Sequence, residues 1–160
     1  MAAKTVLTLG FVLQVATASA QLSPSTFGGI PLWADSALRT AGLDQRFMLT
    51  SKLNPVFALG DFDRDGLVDI AVEVKDASGF SCGIAIAHRI DRSVHIVGAG
   101  KPVGNGKSQV ACGRWGVESA RPQPHRHGTS DHDLLYVTEP GAHSGWLVWN
   151  GGSYVWIQAD

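Results

Sequence analysis

Charge is scarce in this chain. Asp, Glu, Lys and Arg make up only 17% of its 160 residues, the formal net charge is −1, and no run of Lys or Arg forms a basic stripe. That excludes the electrostatic footprint of a nucleic-acid or anionic-membrane binder. Long apolar runs are missing beyond the amino-terminal stretch, so nothing later reaches the roughly 20 residues of a spanning helix. Cysteine is limited to Cys82 and Cys112, far apart in the chain, which leaves no close pair for a thiolate metal site. No Gly-x-Ser-x-Gly elbow or other familiar nucleophile setting is present. Gly100 to Ser108 has one residue too many between its glycines for a phosphate-cradling P-loop.

The amino terminus is well marked. Lys4 precedes an apolar stretch from Thr5 to about Val15, and the small residues Ala18-Ser19-Ala20 precede Gln21. This pattern is that of a secretory signal peptide over residues 1–20, cleaved after Ala20. The expected product is an exported protein, periplasmic or extracellular, with residues 21–160 as a single β-rich domain of about 140 residues. In an oxidising compartment its two cysteines are expected to pair as one disulfide, Cys82 with Cys112.

Pro31 and Gly42 frame a short helix, and period-two patterns dominate beyond it. Val68 to Val74 places Val68, Ile70, Val72 and Val74 on one face and Asp69, Ala71 and Glu73 on the other, as in a half-buried strand. Ile84 to Ile90 and Ser93 to Val97 continue in kind. The succession then returns: Asp133 to Thr138 resembles Asp69 to Val74, Gly145 to Trp149 resembles Gly83 to Ala87, and Ser153 to Ile157 resembles Ser93 to Val97. The expected fold is therefore all-β and mainly antiparallel. It consists of two blade-like β-meanders, about 54–97 and about 133–158, related by an internal repeat. Asn150-Gly151-Gly152 supplies a tight hairpin turn in the second, and a further short element is expected around Val110 to Val117.

The sharpest feature is Gly60-Asp61-Phe62-Asp63-Arg64-Asp65-Gly66-Leu67-Val68-Asp69. Counting from Asp61, carboxylates fall at the first, third, fifth and ninth places, Gly66 permits a sharp bend, and Leu67 offers a carbonyl. Calcium takes about 6 to 8 oxygen ligands in flexible geometry, and alternate aspartates on a tight turn converge on such an ion. An EF-hand would need Glu where Val72 stands, and helices where the flanks are strand-like. The expected ligands are Asp61, Asp63, Asp65, Leu67 and Asp69, with Glu73 or water completing the shell.

Over Ala58 to Val72 the chain resembles the calcium loops of FG-GAP (VCBS) repeats, which join two strands of a propeller blade. Val94 to Gly100 and Tyr154 to Trp156 resemble a group of short exported bacterial proteins that carry one such loop. The resemblance implies export and bound Ca2+, with no established activity. Material for about two blades cannot close a propeller ring. In the second meander, His125, His127 and Thr129 replace the acidic positions, so one calcium site is expected.

Two weaker constellations remain. His125, His127, Asp131 and His132 approach the ligand set of the metallo-β-lactamase family, but with two extra residues between the halves; the alternative they suggest is a small exported metal-dependent hydrolase. Trp146, Trp149 and Trp156 crowd the last hairpin, where core packing and cross-strand pairing account for most aromatics and a glycan or protein contact for any that face outward. The leading expectation is a non-enzymatic binding or structural module, with calcium as its structural ion and an unidentified protein or glycan as its partner.

Overall fold

The computed structural model describes residues 29–49, 57–103, 114–119, 132–138 and 144–159. The fold is all-β and antiparallel throughout, as the alternation predicts. Helix α1 (Leu32–Thr40) starts after Pro31 and stops before Gly42, whose φ of 71° is left-handed; a single further turn, α2 (Leu43–Arg46), follows. The first sheet contains β1 (Phe47–Leu49), β2 (Phe57–Gly60), β3 (Asp69–Asp76), β4 (Cys82–Ala87) and β5 (Val94–Gly98). Strands β1 and β2 share one edge of β3, β1 against its carboxyl end and β2 against its amino end. The second sheet is a four-stranded meander of β6 (Arg114–Glu118), β7 (Leu134–Thr138), β8 (Ser144–Trp149) and β9 (Tyr154–Gln158).

Strand β3 departs from the half-buried expectation. Both of its faces are covered, because Ile70, Val72 and Val74 pack under α1 while Ala71 lies in the core between the two sheets. Ile84, Ile86 and Val97 of the first sheet join Trp115, Leu135, Val137, Leu147 and Tyr154 of the second in that shared core. Glu73 is buried there too, and its Oε2 accepts the Trp115 indole N–H at 3.2 Å. Its carboxylate is thereby engaged at the seam between the sheets. The second meander begins earlier than the sequence suggests, at β6, which falls within the stretch flagged near Val117.

The internal repeat holds with one adjustment of register. Matching Gly83 to Gly145 and Ser93 to Ser153 carries the β4–β5 register onto β8–β9, so that Gly83 opposite Gly98 corresponds to Gly145 opposite Gln158. Ile70 lies opposite Ala87, the counterpart of Trp149. Extending the pairing of Leu135 with Leu147 by two residues puts Asp133 opposite Trp149. Asp133 therefore corresponds to Ile70, and His132 to Asp69. A period of two makes such a slip change faces. By the unchanged β4–β5 match, Ile84, Ile86 and Val97, which face the second sheet, correspond to Trp146, Val148 and Ile157 on that sheet's far side, and the slip brings β3 and β7 into the same relation.

Cys82 is buried at the start of β4 and is disulfide-bonded; Cys112 lies outside the described residues, as do the signal-peptide residues. Among the described residues no helix is long and apolar enough to cross a membrane. The seam between the sheets sets a stability prediction. Leu147→Ala, at a side chain 1% exposed, should cost about 2 to 5 kcal/mol in urea unfolding, whereas Ile157→Ala, at one 49% exposed, should cost less than about 1 kcal/mol.

Candidate metal centre in the β2–β3 loop

The acidic loop joins β2 to β3, the hairpin position the sequence pattern implies. Its bends use left-handed backbone at Arg64 (φ 71°) and Gly66 (φ 84°). Each of the first three aspartates uses one oxygen to hold the loop. Asp61 Oδ2 accepts the Gly66 N–H at 3.1 Å, Asp63 Oδ1 accepts the Asp65 N–H at 3.0 Å, and Asp65 Oδ1 accepts the Leu67 N–H at 2.7 Å. Their other oxygens have different surroundings. Asp61 Oδ1 and Asp65 Oδ2 are buried without any hydrogen-bond partner, and Asp63 Oδ2 lies 3.2 Å from His88 Nδ1. Asp61, Asp63 and Asp65 each place an oxygen within 4.8 Å of the others.

Three carboxylates so close repel one another, and a buried anionic oxygen without a partner loses its hydration with nothing in return. A hard dication removes both costs, and an all-oxygen donor set suits calcium or magnesium. The chain's own residues therefore fit the ion that the loop pattern implies. Leu67, expected to contribute its carbonyl, sits in the loop with its side chain in solvent.

Asp69 stands apart from the other three. It is fully buried, and both oxygens accept main-chain N–H groups, Oδ2 from Phe62 at 3.0 Å and Oδ1 from Arg89 at 2.8 Å. It thus fastens the loop's entry to the β4–β5 turn. With Asp63 and His88 it forms a second trio of ligand-type atoms within 4.8 Å. Burial raises its carboxyl pKa to about 7, against the two N–H bonds that favour the charged form. Asp63 is raised for the same leading reason.

Residues outside the expected calcium ligands support the loop, among them His132, which the sequence suggested only for a separate histidine site. Asp133 Oδ2, just before β7, accepts the Asp61 N–H at 3.1 Å. Gly60 makes that approach feasible, since a Cβ there would lie 2.9 Å from Asp133 Cβ and 2.6 Å from the Phe62 ring. Arg64 donates to His132 Nε2 at 3.3 Å. Buried His88, lowered in pKa by desolvation, shares a 2.7 Å hydrogen bond between Nε2 and the Tyr154 hydroxyl, and its ring packs edge-on against Trp149. Asp133 and His132, just before β7, thus reach the loop directly, and Tyr154 of the second sheet reaches it through His88. No local pattern announces these partners, because each is a contact between distant parts of the chain.

The alternatives read from the sequence are only partly in view. His125, His127, Thr129 and Asp131 lie outside the described residues; His132 is buried and turned towards the acidic loop. Trp149 and Trp156 pack against the core between the sheets, whereas Trp146 lies on the far face and donates to Glu118 at 2.6 Å. Asp63, His88 and Ser93 do not form a nucleophile relay, which needs the nucleophile and the orienting acid on opposite nitrogens of the histidine base. Both Asp63 and Ser93 face His88 Nδ1, and Tyr154 occupies Nε2.

Compared with known proteins, the chain matches no family model, no curated protein and no solved structure.

The buried aspartate gives a pH prediction. Its folded pKa lies above the ordinary 3.8, so its contribution to stability is complete below about pH 4 and is lost as pH rises through about 7. The slope from this one group is about 1.4 kcal/mol per pH unit inside that window. His88, depressed by burial, acts in the opposite direction below its ordinary 6.5. Carboxyl 13C NMR of ion-free protein should show Asp69 titrating near 7; a midpoint near 4 would contradict the burial argument.

Proposed function

We propose that this protein is an exported, non-enzymatic β-domain in which one calcium ion, held by Asp61, Asp63 and Asp65, clamps the β2–β3 loop. The observation that carries the reading is the pair of buried, partnerless oxygens, Asp61 Oδ1 and Asp65 Oδ2, in a loop whose other carboxylate oxygens are all engaged. The remaining ligands are the Leu67 carbonyl and water, while Asp69, with both oxygens taken by main-chain N–H groups, holds the loop's entry beside the ion. The ion's role is structural. It neutralises the loop where Asp133 and His132, just before β7, meet it directly and Tyr154 meets it through His88, and so fixes how the two sheets dock. The rest of the surface is then a rigid platform for a protein or glycan partner.

Calorimetric titration of calcium into chelator-treated protein should show one saturable site, absent in the Asp63→Ala/Asp65→Ala double variant. At a hundredfold excess over Kd the ion adds about 2.7 kcal/mol of stability, a melting shift of about 5 to 10 °C for a domain of this size. Absence of both heat and melting shift in the unsubstituted protein would sink the calcium reading.

A further inference from the structure

A second site, separate from the acidic loop, lies between helix α1 and the β4–β5 turn. Trp33, Ser36, Ala37 and Thr40 of the helix and Arg92 of the turn line a cavity of about 350 Å³. Small-molecule sites run from roughly 300 to 1,000 Å³, so this one has room for a ligand the size of a single sugar ring. Ser36 and Thr40, one helical turn apart, present exposed hydroxyls on the same side as Trp33.

Arg92 occupies a left-handed backbone position, φ 61°, that glycine or asparagine fills at lower cost. A side chain kept where the backbone disfavours it directs attention to what that side chain does. Its guanidinium carbon lies 4.9 Å from the Trp33 ring centroid, and that of Arg89 lies 4.8 Å from the same indole. Two cationic side chains therefore share one aromatic ring. The nearby acids are engaged elsewhere: Asp35 pairs with Arg39 at 2.9 Å, and Asp91 accepts the Ser93 N–H at 2.8 Å. Among the described residues the Arg92 guanidinium has no ion pair or hydrogen bond, and the Ser36 and Thr40 side chains have no hydrogen bond.

A guanidinium over an indole still has N–H groups to donate, and their fork matches the two oxygens of a carboxylate or phosphate. We infer that the cavity binds a small ligand carrying such an oxyanion, with Arg92 meeting the charge, Ser36 and Thr40 meeting neighbouring hydroxyls, and Trp33 forming the apolar wall. The source is either an acidic sugar or a phosphorylated one. This inference does not depend on calcium in the acidic loop.

The test is NMR titration of the full chain, read at the Trp33 indole N–H, with glucuronate, glucose 6-phosphate, inorganic phosphate and glucose, each with and without calcium. Saturable binding of glucuronate or glucose 6-phosphate, and none of glucose, is expected whether or not the acidic loop binds its ion. Preference between the two charged sugars identifies the source. Arg92→Gly relieves the left-handed strain, so this variant should fold at least as well while binding the charged sugar about tenfold or more weakly. Ser36→Ala/Thr40→Val should weaken it less. Inorganic phosphate binding as tightly as the phosphorylated sugar would overturn the role given to Trp33 and the hydroxyls. No saturable response to any anion, or unchanged affinity in Arg92→Gly, would overturn the site.

Discussion

The carboxyl of Asp69 is the constraint on which the rest of the arrangement depends. It sits where β2, β3 and the β4–β5 turn come together, fully buried, taking the Phe62 N–H on one oxygen and the Arg89 N–H on the other. Two main-chain donors fixed to one side chain tie segments that the strand ladders alone leave independent. The entry of the acidic loop follows from the first bond. The second sets the position of the turn from which His88 faces Asp63 and from which the Arg89 and Arg92 guanidinium groups reach the Trp33 ring. A buried carboxylate is costly without compensation, and its raised pKa is the measure of that cost.

The loop's charge and the seam between the sheets form one problem. Asp61, Asp63 and Asp65 satisfy the loop's own N–H groups with one oxygen each, and that geometry turns the remaining oxygens inward. The second sheet and the residues before β7 meet this loop through polar contacts, Asp133 and His132 directly and Tyr154 through His88, alongside the apolar core. Asp133 brings a further carboxylate to the loop, where it accepts the Asp61 N–H. An ion at the centre would bind the loop and relieve the repulsion across the seam at once, the structural role proposed for it.

The strands and the acidic loop were legible in the sequence because both are local. Alternation in Val68 to Val74 needs only neighbouring residues, and so does the spacing of Asp61, Asp63 and Asp65. Burial of β3 on both faces was not legible, since it depends on α1 and the second sheet arriving from opposite sides. Glu73 looked like a further ligand by position, yet the Trp115 indole holds it at the seam. Strand β1 escaped notice because three residues, Phe47 to Leu49, are too few to show a period. His88 ends an apolar strand with nothing nearby to mark it, and its partners Asp63 and Tyr154 are distant in the chain.

The one-residue slip in the repeat explains how two similar meanders come to carry a single acidic centre. In the first, the residue at the mouth of the central strand is Asp69, which organises its own loop. In the second, the corresponding residue is His132, which cannot accept two main-chain N–H groups as a carboxylate can. His132 instead accepts from Arg64 of the first loop, and Asp133, the counterpart of apolar Ile70, accepts from Asp61. The connection before β7, 119–133, is also longer than the 61–68 connection it parallels, so the tight spacing of alternate aspartates has no equivalent there. Where the second meander departs from the first, its polar residues brace the acidic loop of the first. That bracing falls beside the seam between the two described sheets.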